Sequence, residues 1–143
     1  EEVSIVAENI LCVIFLPKLS MEDQGGAYTD ASLAPNYRYD STTARSDPLI
    51  NPKNQLPPIV QVTMVAIDEL SAKRMSDGEQ DELKTLIDGL FRSVGSTTDP
   101  SVSGYARDLQ TLESALISRR INYRIFSSNV AIKAAKWSRE QKN

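Results

Sequence analysis

An α+β domain, an antiparallel sheet of about three to five strands with two helices, is the fold the 143-residue sequence predicts. Three observations carry that prediction. β-Branched, apolar runs stand at the start, middle and end of the chain, over 3–16, 59–67 and 121–137. Two stretches with apolar residues at helical spacing lie side by side between the second and third runs. The order is therefore strand, long loop, strand, helix, helix, strand, which differs from the βαβ alternation of a doubly wound parallel sheet. The length suits one domain spanning 1–143, large enough to bury a core.

The first run, "VSIVAENILCVIFL", contains the unbroken apolar segment "ILCVIFL", which reads as a strand buried on both faces with Pro17 as its stop. Cys12 lies inside it and reads as a small buried hydrophobe, since a lone cysteine forms no internal disulfide. Residues 18–55 are polar, rich in Ser, Thr, Asp, Asn, Gly and Pro, and hold Tyr28, Tyr37 and Tyr39. A connection of that length inside a compact domain is either functional, as a binding loop, or partly disordered. Within it "NYRYD" could pair briefly as a strand. The tyrosines offer contact area at low entropic cost; the favoured reading is that they pin the loop to its own domain.

"NQLPPIVQVTMVAIDE" follows. Pro57 and Pro58 have no backbone N–H, so a ladder can begin only at Ile59. Val60, Val62, Met64 and Ala66 form an apolar face, the expected core side, and the odd-numbered residues form a mixed one. "SDGE" at 76–79 reads as a capping box opening a helix with the stripe Leu83, Leu86, Ile87, Leu90 and Phe91. A second helix is expected over about 103–118, with Arg119 and Arg120 at its negative end. In the last run the apolar residues change phase around "SSN", which predicts a bulge. Trp137 is expected to cover the sheet margin.

The chemistry available is narrow. There is no histidine, which removes Ser–His–Asp and Cys–His catalysis and histidine metal sites. Phosphate-binding glycine motifs are missing. Asp30, Asp40 and Asp47 lack the spacing of a calcium loop, and the acidic residues at 77–82 suit a helix N-terminus. A net charge of −3, without a basic stripe, argues against nucleic acid. The longest apolar run is far shorter than the ~18–20 residues of a membrane span. No enzyme activity, cofactor or metal is expected.

"ENILCVIFLPK", the long insert and "LPPIVQVTMVAID" together resemble the C-terminal region of minor type IV pilin-like proteins, especially the J-type minor pseudopilin of type II secretion. Leu56, Pro57, Val60, Val62 and Thr63 match that family's Leu-Pro-x-x-Val-x-Val-Thr pattern. The closing "INYRIFSSNVAIKAAKWSR" is similar to the end of pilin-like proteins of the Verru_Chthon cassette, protein C type. The resemblance covers about half the chain and departs from the family pattern where two helices follow the second strand. It implies a periplasmic or cell-surface head, anchored to the inner membrane by a helix upstream of Glu1. Its partners would be other pilin-like subunits, with exported cargo as a further candidate, and it would act by packing. The alternative is an extracytoplasmic binding or adhesion domain using the 18–55 loop.

Overall fold

The computed structural model describes residues 8–20, 33–42, 52–95 and 104–133. Among them are three strands, β1 (Ile10–Lys18), β2 (Ile59–Ile67) and β3 (Tyr123–Ala131), and three helices, α1 (Glu69–Arg74), α2 (Asp77–Gly89) and α3 (Gly104–Ser118). The strands form one antiparallel sheet in the order β1–β2–β3. This is the α+β class expected. The predicted strand over 59–67 has the expected bounds and lies between both of the others.

Cross-strand partners share a face, because side chains alternate along each strand. Cys12, Val65 and Ile125 form one rung of the inner face, and Ile14, Thr63 and Ser127 the next. The helices pack there. Val65, Ile67, Leu83, Leu112, Leu116 and Ile121 make one buried cluster, with Leu86, Ile87 and Leu109 against it. Cys12 is half-buried at its border, and burial pushes its thiol pKa up. β2 therefore turns its odd-numbered residues to the core and not the even-numbered face expected. The even-numbered face is apolar for a different reason: it belongs to a second, outward apolar surface.

α2 begins as the sequence predicts. The Ser76 side chain accepts from Glu79 N–H, and the Glu79 carboxylate accepts from Ser76 N–H at 2.8 Å, closing the capping box. Those bonds from Ser76 hold the Glu79 carboxyl below its ordinary pKa. α1 has no counterpart in the sequence reading, being only six residues long. It is set by Asp68, which accepts from Ser71 N–H at 2.7 Å as N-cap. At the end of α3, Arg119 Nη1 donates to the Ala115 carbonyl at 3.2 Å, the role expected of a basic residue there.

Four further expectations are corrected. β1 runs through Pro17, because that residue sits on the sheet's edge strand, where a missing N–H leaves no ladder bond unmade. It is not buried on both faces, since Val13 and Phe15 are exposed. β3 pairs with β2 without interruption from Ala131 to Tyr123, so no bulge occurs at "SSN". The phase change instead marks two apolar faces, Ile125 inward and Phe126 and Val130 outward. "NYRYD" forms no strand; its start completes a turn in which Tyr37 N–H donates to the Ala34 carbonyl. Trp137 lies outside the described residues.

Candidate functional site

Of the three loop tyrosines, Tyr28 falls outside the described residues, and Tyr37 and Tyr39 are both half-buried. The Tyr39 hydroxyl donates to the Gln55 carbonyl at 3.1 Å, and its ring packs on buried Leu19 and Leu33. This ties the start of the long connection to its end. Tyr37 meets Phe91 edge to face, with ring centres 6.2 Å apart, and Phe91 in turn meets Tyr105. Tyr37 and Phe91 both adopt left-handed backbone conformations, with φ of 57° and 54°. Such a conformation is costly for an aromatic residue and persists where the surroundings fix it. Here Asp108 accepts from Phe91 N–H at 2.8 Å, and Val94 N–H donates to the Pro35 carbonyl at 2.8 Å. The Tyr37 hydroxyl is buried with no hydrogen-bond partner among the described residues, and burial, then Asp108 and Tyr105, push its pKa up. The two described tyrosines thus anchor the loop.

The Leu-Pro-x-x-Val-x-Val-Thr residues divide between the two faces. Leu56 is exposed and Pro57 buried just before β2. Val60 and Val62 point outward, half-buried, whereas Thr63 is fully buried on the inner face. Its hydroxyl shares a hydrogen bond with the Tyr105 hydroxyl at 2.7 Å and another with Ser127 at 3.1 Å. Gln61 Nε2 donates to Tyr105 and Ser127 at 3.2 and 2.9 Å. This polar node pins the first turn of α3 to the sheet.

Where the end of α3 leads into β3, a shallow groove of about 370 Å³ is lined by Ile117, Arg120, Ile121, Asn122 and Tyr123. A smaller cleft of about 150 Å³ beside it includes Arg74, Glu79 and Arg119. Two of the arginines there, Arg74 and Arg119, are engaged locally. Arg74 Nη2 donates to the Arg120 carbonyl at 3.2 Å, and Arg119 pairs with Glu82 at 3.6 Å. Among the described residues no three metal-ligating side chains converge. Asp40 accepts from Thr42 N–H and hydroxyl in a local turn.

The outer sheet face is the surface that stands out. Val13, Met64 and Phe126 form one rung, Phe15, Val62 and Ser128 the next, and Pro17, Val60 and Val130 the third. Phe15 is 58% exposed, Phe126 52%, and Val13 and Val130 46% each. Sequence reasoning found the β2 part of this face, Val60, Val62 and Met64, but took it for the core side, and missed that β1 and β3 also carry outward apolar residues, Val13, Phe15, Phe126 and Val130. That double apolarity was the available signal.

No family model, curated protein or solved structure matches this chain. No helix of the described residues is long and apolar enough to cross a membrane.

Proposed function

We propose that this domain is the head of a minor pilin-like or pseudopilin-type subunit, a structural part of a cell-envelope secretion or pilus assembly. It works by packing with other pilin-like subunits and with exported cargo, at the periplasmic side or the cell surface. The observation that carries the reading is the outer sheet face. Three strands give a strip about 10–14 Å wide and nine residues give about 30 Å of length. One α-helix of about 20 residues is about 30 Å long and 10–12 Å across with its side chains. A single apolar helix laid along β2 would cover Phe15, Val62 and Phe126 together, removing an apolar patch of a kind that soluble monomers seldom leave bare. The family pattern in Leu56, Pro57, Val60, Val62 and Thr63 supports the same reading, because Val60 and Val62 belong to that strip.

The test is site-specific photo-crosslinking in the native host. Probes at Phe15 and Phe126 should cross-link to an apolar helical peptide in the envelope fraction, and probes at Leu70 and Ile117, exposed on the helical layer, should not. Equal reaction of all four positions with a water-soluble reagent in cells, with no cross-link from the outer face, refutes the proposal.

A further inference from the structure

We propose that the end of α3 carries a docking site for an extended acidic peptide segment. The Arg120 guanidinium takes a carboxylate of that segment, and Ile117 and Tyr123 take the apolar side chain beside it. The groove between α3 and β3 and the smaller cleft meet at Arg120 and Ile121, which line both. Arg120 therefore stands between the two hollows.

The backbone around Arg120 is already committed to the fold. Arg120 N–H donates to the Ile117 carbonyl at 2.9 Å, Ile121 N–H to the Leu116 carbonyl at 3.0 Å, and Asn122 N–H to the Ser71 hydroxyl at 3.1 Å. The Asn122 side-chain amide donates to Asp68 at 3.1 Å. No backbone donor from 120 to 122 remains for a ligand, so recognition falls to side chains. Four charged side chains line the two hollows, and three of them are engaged. Arg74 bonds the Arg120 carbonyl, Glu79 closes the capping box with Ser76, and Arg119 pairs with Glu82. The Arg120 guanidinium makes no hydrogen bond or ion pair among the described residues.

Arg120 also holds a left-handed backbone, φ 55°, at a helix end where glycine is the usual residue. An arginine there weakens the fold, and its guanidinium returns no bond to the domain. Strain of that kind gathers at ligand clamps and similar sites. The groove wall is apolar and held in place: Ile117 is 63% exposed, and the Tyr123 hydroxyl donates to Glu113 at 3.0 Å, which fixes its ring.

This chemistry selects the occupant. One guanidinium matches one planar carboxylate through two parallel hydrogen bonds. A phosphate dianion suits the place less, because Glu79 lines the adjoining cleft and Glu82 lies 3.6 Å from Arg119. A shallow groove covers one side of an extended chain, whereas small-molecule sites enclose most of their ligand. The site lies on the helical side of the sheet and does not rest on the reading of the outer face. A cross-link from Ile117 should accordingly lead to an acidic segment and not to an apolar helix.

Titration of the chain followed by nuclear magnetic resonance tests this. The probe is a short peptide of glycine and serine with one glutamate next to one leucine. Control peptides carry glutamine for the glutamate or glycine for the leucine, and acetate and inorganic phosphate are added alone. The probe should shift the signals of Ile117, Arg120 and Tyr123 with a Kd of about 1 mM or below. Each control should bind at least about tenfold more weakly. Arg120→Gly should weaken the probe at least about tenfold while the circular dichroism spectrum is kept and stability to urea rises, a combination that a structural role does not produce. Arg120→Lys, which keeps the charge and loses the planar pair of donors, should fall between the two. No shift at about 10 mM probe overturns the proposal. So does equal binding of the glutamine peptide, or unchanged binding by Arg120→Gly. Acetate or phosphate binding as tightly as the probe overturns the peptide assignment.

Discussion

Replacing Arg120 by glycine should make the domain more stable. The end of α3 is a Schellman motif: Ile121 N–H donates to the Leu116 carbonyl at 3.0 Å, and Arg120 N–H donates to the Ile117 carbonyl at 2.9 Å. The apolar contact that accompanies such a motif is present, since Leu116 and Ile121 both lie in the core cluster. Arg120 occupies the left-handed position, with φ of 55°. There a Cβ costs about 1–2 kcal/mol, and glycine offsets part of that gain through its freer unfolded chain, about 0.5–1 kcal/mol. The net expectation is a stabilisation of about 0.5–1 kcal/mol. The bond from Arg74 goes to the Arg120 carbonyl, so it survives the substitution. Urea unfolding reads the difference as a shift in midpoint at constant slope, and Tm should rise by about 2–4 °C. Arg120→Ala, which keeps the Cβ and removes the guanidinium, should leave stability within about 0.5 kcal/mol of the parent. Equal effects of alanine and glycine would refute the reasoning, because they would place the cost in the side chain and not in the backbone.

Gly104→Ala should destabilise by about 1–3 kcal/mol in the same assay, because its Cβ would sit within 2.3 Å of the Ser93 carbonyl oxygen. Leu112→Ala, at a fully buried position in the core cluster, should cost about 2–5 kcal/mol. Asp68 is held below its ordinary pKa by its bonds to Ser71 and Asn122. Its contribution is therefore present above the unfolded-state pKa of about 4 and is lost as pH falls through the folded value. Stability measured against pH should show a shallower acid limb in Asp68→Asn than in the parent.

The parts of the fold that local chemistry dictates were legible in the sequence. Ser76 and Glu79 announce a helix start because the capping box lies within four residues, and Pro57–Pro58 announce the start of β2 because neither has a donor. The stripe Leu109, Leu112, Leu116 announces a helix that packs by one side. What was not legible depends on partners distant in sequence. The apolarity of Val60, Val62 and Met64 is real, but only the pairing with β1 and β3 shows that their face is the outer one. The phase change in β3 is the mark of a strand with apolar residues on both faces, which a one-sided strand would show only as a bulge. α1 is too short to show a period, and its cap Asp68 is completed by Asn122, 54 residues away. The candidate site suffered the same limit: a surface made from three strands has no contiguous motif.

Thr63 is fully buried on β2, and what its hydroxyl does there can be separated from its shape. A buried threonine on a strand otherwise lined by Val65 and Ile67 invites replacement by valine, which has nearly the same shape. Thr63→Val would remove a 2.7 Å bond to Tyr105 and a 3.1 Å bond to Ser127, leaving the Tyr105 hydroxyl with Gln61. The expected loss is about 1–2 kcal/mol. Tyr105→Phe should cost about 1 kcal/mol from the other end of the same bond. If the bond is the reason for Thr63, the double variant should be more stable than the sum of the single losses predicts, with a coupling of about 0.5–1.5 kcal/mol. Additive losses would place the role of Thr63 elsewhere. With coupling observed, the threonine that ends the Leu-Pro-x-x-Val-x-Val-Thr pattern serves the seating of α3 on the sheet. Val60 and Val62 of the same pattern serve the outer face, so one short sequence signature specifies two unrelated surfaces of a single strand.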